Sequence, residues 1–218
     1  MINESTLIFL KDLKENNHRE WFAENRNRYD ESRTNFVEFC DELLSDLKVL
    51  QPSLLNTSIK DCIFRINRDI RFSKDKSPYK NHFSAAFGPN GRNSGKIDFY
   101  FQMESDRAFI GGGIWQPSPQ NLARFRQEID YNPEVLKSII YDKTFLEYFG
   151  EPHGEKLKTT PKNYPADHPD IELLKFKEIF YTKEFTAREI LNKDFRAQVV
   201  KACTYLKPYL DYVNEVFE

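Results

Sequence analysis

The sequence is poor in cysteine and has no long apolar run. Its three cysteines, Cys40, Cys62 and Cys203, are scattered without a CxxC. That pattern disfavours a disulfide framework and a zinc cluster and reads as buried reduced thiols in a reducing compartment. No stretch approaches the roughly 18 apolar residues of a membrane span. Met1 to Leu10 lacks a basic region followed by a long apolar run, so no secretory signal is expected. Net charge is small as well: 32 Lys and Arg against 34 Asp and Glu leave -2. No global field therefore draws the chain to nucleic acid or to an anionic membrane, and any anion site must be local. The four histidines, His18, His82, His153 and His168, fall in no HxH or HExxH spacing, so neither a metal nor a cofactor is expected. These absences describe a cytoplasmic protein without a membrane partner, whose oligomeric state the sequence leaves open.

What is present is a ring-rich chain. Aromatics make up 15% of the 218 residues, with 19 Phe and 11 Tyr, so much of the core volume should come from rings. The length suits one domain over 1–218. Leu7, Ile8, Leu10 and Leu13 describe a short amphipathic helix. Asn17 is the expected N-cap of a long one from His18 to about Leu47, with its stripe on Phe22, Tyr29, Phe36, Phe39, Leu43, Leu44 and Leu47. Trp21, Asn25 and Tyr29 fall on one side of it, so Asn25 is either satisfied within the core or turned towards a pocket.

Between 61 and 115 the apolar period falls to two and turn residues collect at Pro78, Gly88 to Gly91 and Asn93 to Gly95. Strands are expected at 62–67, 82–87, 97–104 and 107–113, the last two as a hairpin through Ser105 and Asp106. From Pro119 the helical period returns, interrupted by an irregular strap at 150–169 rich in Pro and Gly. A final helix is expected from Asp194 to about Phe217. The fold class is therefore α+β: helices over 1–50, a mostly antiparallel sheet of about four strands within 61–115, and a helical part over 119–218.

The segment 62–83 carries most of the chemistry. It holds Arg65, Arg68, Arg71, Lys74, Lys76 and Lys80 against only Asp69 and Asp75. Alternation as far as Phe72 places Phe64, Ile66, Ile70 and Phe72 on one face and Arg65, Asn67, Asp69 and Arg71 on the other. In the hairpin, Ile97, Phe99, Phe101 and Met103 oppose Asp98, Tyr100, Gln102 and Glu104. If the polar faces coincide, Arg65, Arg71, Tyr100 and Gln102 share a surface with His82 or Ser84. Guanidinium forks there match phosphate or carboxylate, with Arg68, Lys74 and Lys80 adding charge. Two readings stand: an anion site, or a salt-bridge scaffold satisfied by Asp69, Asp98, Glu104 or helix acids. Arg68 breaks the alternation, so it marks either a bulge or a buried charge with a partner such as Asp69 or Glu20.

His82 is the candidate general acid or base. Gly111-Gly112-Gly113 follows no phosphate-loop pattern and reads as a bulge or as a place where a ligand or another backbone approaches closely. Lys156, Lys158 and Lys162 on the strap either extend the basic surface or are simply solvated. The expected function is a binding domain for a phosphate- or carboxylate-bearing ligand. The alternatives are a phosphoester hydrolase at the same site, or a nucleic-acid or protein contact through the basic loop 73–82. Whether turnover occurs is left open.

Three stretches together, Asn17-His18-Arg19-Glu20-Trp21-Phe22, Phe64-Arg65 through Asn81-His82, and Gly111-Gly112-Gly113-Ile114-Trp115, closely resemble a conserved hypothetical family of bacteria and fungi. It is catalogued as domain of unknown function 2461. The resemblance covers nearly the whole chain and implies one shared full-length fold, with no activity, cofactor or catalytic residue attached.

Overall fold

A computed structural model describes residues 1–96 and 98–218. The helices are α1 (Glu4–Glu15), α2 (Arg19–Glu24), α3 (Arg26–Leu50), α4 (Ile59–Cys62), α5 (Pro119–Tyr131), α6 (Pro133–Ile140), α7 (Lys143–Phe149), α8 (Ile171–Leu174), α9 (Ala187–Ile190) and α10 (Phe195–Phe217). The strands β1 (Phe83–Phe87), β2 (Phe99–Met103), β3 (Arg107–Ile114) and β4 (Ile179–Thr186) form one antiparallel sheet in sequence order. The class is α+β, as expected. None of the helices among the described residues is long and apolar enough to cross a membrane.

The chain forms two compact units: Met1–Gly95 with Phe99–Ile110 and Glu184–Lys201, and Lys96–Asp98 with Gly111–Lys183 and Ala202–Glu218. In the first, Phe36 and Phe39 of α3 project onto the sheet. Phe36 lies 5.3 Å from Phe83 and 6.0 Å from Phe101, and Phe39 lies 5.6 Å from Phe101 and 5.3 Å from Phe195. Such ring pairs add to simple area burial. Buried Asn35 satisfies the start of α1: its carbonyl accepts from the Asn3 amide at 2.8 Å and the Thr6 hydroxyl at 2.9 Å, and its NH2 donates to Met1 O at 2.9 Å. In the second unit, Tyr181 and Tyr209 meet edge to face at 5.0 Å, and the Tyr209 hydroxyl donates to Ile179 O at 2.8 Å.

Strand alternation is plain in β2, where Phe99, Phe101 and Met103 are buried and Tyr100 and Gln102 half-buried. Ile97, expected to begin this strand, lies outside the described residues. The expected strand at 62–67 does not form. Ile63 bridges Ala85 of β1, whereas Asn67 bridges Tyr79, so this stretch divides its pairing between two partners and builds no continuous ladder. Pro78 contributes to the division, since it has no N–H and only accepts, from Arg68 N at 2.9 Å. The alternation also stops early: Ile66 is buried, but Phe72 is 95% exposed, because Ser73 N turns back to Ile70 O. The fourth strand is instead β4, where buried Ile179, Tyr181 and Phe185 alternate with more exposed neighbours.

The long N-terminal helix is broken at Asn25, where the backbone leaves the helical range at φ -101° and ψ 20°, and where Trp21 O accepts from both the Asn25 amide N–H and its side-chain NH2, each at 2.9 Å. Asn25 therefore serves the helix junction. His18, not Asn17, caps α2, with its ring nitrogen accepting from Trp21 N at 3.4 Å.

Candidate functional site

The basic segment folds back on itself. Arg68 N donates to Pro78 O at 2.9 Å and Lys80 N to Ile66 O at 2.8 Å, joining its two limbs. Tyr79 anchors the second limb: it is buried, and its ring stacks on Phe22 at 3.9 Å. Asn17 grips the same residue by its backbone, accepting from Tyr79 N at 3.1 Å and donating to Tyr79 O at 2.9 Å, and it also donates to Asn81 Oδ1 at 2.8 Å. One amide thus acts as a short strand partner for the loop.

Between the limbs, the Arg68 guanidinium donates to the Asp75 carboxylate, to Ser77 O at 3.1 Å and to Ser73 Oγ at 3.3 Å. Asp75 also accepts from the Ser77 hydroxyl at 2.6 Å and the Ser77 amide at 2.9 Å. These Ser77 bonds, then Arg68, lower the Asp75 pKa to about 2. The charge on this arginine is answered by a loop acid seven residues away rather than by Asp69 or Glu20.

The folded loop forms one wall of a cleft of about 290 Å³, into which Lys14, Arg68, Lys80 and His82 bring donors and Asp75 and Glu104 bring carboxylates. Tyr79, Asn81 and Ser105 complete the lining. Glu104 is held from behind, by Gln102 Nε2 at 2.9 Å and by the Arg107 guanidinium at 3.3 Å. The Tyr100 hydroxyl extends this chain by donating to Gln102 Oε1 at 2.9 Å. Burial lowers the Lys80 pKa, with repulsion from Arg65 second. Burial, with Lys80 second, lowers that of His82 from 6.5 to about 4, although Glu104 pulls the other way.

Of the residues singled out from sequence, the cleft gathers Arg68, Lys80 and His82. Tyr100 stands behind it in the Gln102–Glu104 chain. Arg65 is exposed and acts on Lys80 through its charge. Arg71 is exposed and bidentate on Asp69 at 2.9 and 2.6 Å. Lys74 is exposed and lies outside the cleft lining. Two contributors escaped the sequence reading, Lys14 in the last turn of α1 and the Asn17 clamp. Nothing in local spacing marks Lys14, whereas an Asn immediately before an aromatic helix carries the local signal of a cap.

A family model described as a conserved hypothetical protein, DUF2461, matches residues 5–212. The chain belongs to the DUF2461 family. No curated protein and no solved structure matches it.

In this DUF2461 protein, two of the three stretches that carry the family resemblance meet at the cleft: Asn17 and Phe22 hold Tyr79, which positions Lys80 and His82. The third belongs to the second unit, where its glycines make room for protein. A Cβ on Gly111 would stand 2.5 Å from Tyr181 O, and one on Gly112 2.8 Å from Asp98 O. Lys156 of the strap is likewise engaged locally, 3.6 Å from Glu172 and 4.2 Å from the centre of the Phe176 ring. No group of three or more His, Cys, Asp or Glu is placed to hold a metal ion among the described residues.

The low pKa of His82 has a measurable consequence. The unfolded chain protonates this ring near its ordinary value of 6.5, and the folded chain only near 4. Between those values the unfolded state binds more protons, so stability falls as pH falls. The Asp75 contribution lies lower, lost only as pH drops from 3.8 through about 2. Melting temperature is therefore expected to decline between pH 6.5 and 4, with a shallower decline in His82→Gln. Identical slopes in the two proteins would show that His82 is as solvated as in a free peptide.

Proposed function

We propose that this DUF2461 protein binds a small ligand bearing a phosphate or carboxylate in the cleft beside its basic loop. The observation that carries this reading is the convergence of Lys14, Arg68 and Lys80 on one cleft in a chain whose net charge is -2. The acids in the same cleft are already engaged, Asp75 with Arg68 and Ser77 and Glu104 with Arg107 and Gln102. Lys14 and Lys80 form no ion pair among the described residues. A half-buried ammonium disfavoured by desolvation gains most from an arriving anion, which restores its preference for the charged form. Neutral His82 supplies a hydrogen bond without further charge.

Binding suits the geometry better than hydrolysis, since a histidine with a pKa of about 4 is a weak base at neutral pH and general catalysis is most efficient near the working pH. Pairing of Arg68 with Asp75 and Arg71 with Asp69 likewise reduces the free charge of the loop, which favours a compact ligand over a nucleic-acid strand. The three cysteines, all buried, fit a reducing compartment, and we read the protein as cytoplasmic.

The test is thermal melting at constant ionic strength with inorganic phosphate, succinate and ribose 5-phosphate. A ligand at 100 times its Kd should add about 2.7 kcal/mol to the stability of the native state. Lys80→Met, which keeps the aliphatic stem, is expected to lower affinity by roughly tenfold or more, the loss of one charge-assisted contact. No stabilisation of the wild type by any of the three anions relative to chloride, or equal affinity in Lys80→Met, would overturn the reading.

A further inference from the structure

The cleft does not end at its cations. Lys80, which lines it, has its ammonium 5.2 Å from the centre of the Phe64 ring. Phe64 meets Tyr100 at 6.0 Å, and Tyr100 meets Phe109 at 5.8 Å. The three rings belong to the 62–66 stretch, β2 and β3, and all are half-buried, unlike the sealed rings of Phe83, Phe99 and Phe101. They form a row across the polar side of β2, on which Tyr100 alternates with its buried neighbours. The hydrogen-bonded chain from Tyr100 through Gln102 to Glu104 runs back to the cleft, so the row and the cleft are joined at two places.

A pocket whose Lys80 also lies against the half-buried Phe64 ring is complementary to a molecule with an anion at one end and a planar aromatic group at the other. We propose that the ligand is a nucleoside monophosphate, with its phosphate held by Lys80 and Lys14 and its base laid on the ring row beginning at Phe64. This rests on the anion-binding reading above and narrows it. The charge of Lys80 answers the phosphate, while the Phe64 ring, which Tyr100 meets at an interplanar angle of 64°, answers any base, because every base presents a π-face and stacking tolerates sequence. The row accordingly predicts weak discrimination among bases.

The experiment compares Kd values, by calorimetry at fixed ionic strength, for inorganic phosphate, ribose 5-phosphate, adenosine, adenosine 5′-monophosphate and uridine 5′-monophosphate. Both nucleotides are expected to bind roughly tenfold or more tightly than ribose 5-phosphate, the scale of one base on an aromatic ring. In Phe64→Leu the ratio should fall towards one, and Phe109→Leu provides a second variant should Phe64→Leu fold poorly. If ribose 5-phosphate binds the wild type as well as the nucleotides do, the nucleotide assignment is overturned while the anion cleft stands. If adenosine binds as tightly as its monophosphate, the ring row acts without the cleft and the joint site is wrong. If no phosphorylated compound binds, the nucleotide assignment fails, and the anion reading fails with it only if succinate does not bind either.

Discussion

Gly113→Ala is expected to destabilise the protein by at least about 4 kcal/mol, a large fraction of the roughly 5–15 kcal/mol that keeps a domain folded. Gly113 adopts φ +139°, a region L side chains rarely enter, and a Cβ there would stand 2.3 Å from Ile179 O and 3.0 Å from Phe180 Cα. The backbone strain alone costs on the order of 1–3 kcal/mol, and the obstructing atoms are main chain, so no rotamer change relieves the contact. Gly95→Ala supplies the comparison, since Gly95 has φ +74° but nothing within 4 Å of an added Cβ. It is expected to lose only the conformational part, on the order of 1 kcal/mol. Urea denaturation of both variants checks the contrast. Similar stabilities would mean that β3 and β4 shift apart to admit the methyl group.

Asn17→Ala is expected to cost about 2–4 kcal/mol and to abolish ligand binding. Removing the amide strands the N–H and C=O of buried Tyr79 and also frees Asn81. A buried backbone group left without a partner costs about 1–3 kcal/mol. Phe22 would still stack on the Tyr79 ring, so the fold should survive while the limb carrying Lys80 and His82 loses its register. Asn17→Asp separates clamp from bulk: its carboxylate accepts from Tyr79 N but cannot donate to Tyr79 O, so it should not rescue. Chemical denaturation measures stability, and phosphate titration measures the site. An Ala variant within 0.5 kcal/mol of wild type would show that water replaces the amide.

These two residues illustrate what was readable before the structure. The glycine triplet signals a bulge or a close approach of ligand or backbone, because only a bare Cα tolerates such crowding, but that backbone does the crowding, and which backbone, depends on β4. That strand went unrecognised in sequence despite alternating Ile179, Tyr181 and Phe185. Asn17 carries a local signal for a different task. An Asn before a helix is a good cap by propensity, and propensity could not foresee that His18 would cap α2 while Asn17 reached Tyr79, 62 residues on. In the basic loop, alternation selected Arg65 and Arg71 as partners on one face, whereas the chain leaves the extended path after Arg68 and Arg71 pairs with its neighbour Asp69.

Sequence alone determined what depends on neighbours along the chain: the helical stripes, the period-two face of β2, and a concentration of positive charge between 62 and 83 in an otherwise balanced protein. Those follow from side-chain periodicity and composition, which are local properties. Tertiary structure decided which charges share a cleft. Arg68, Lys80 and His82 converge with Lys14 because Asn17 and Phe22 hold Tyr79 in place, and each of those contacts joins residues more than fifty positions apart. Such pairings depend on the geometry of the whole chain, and no spacing rule within a segment encodes them.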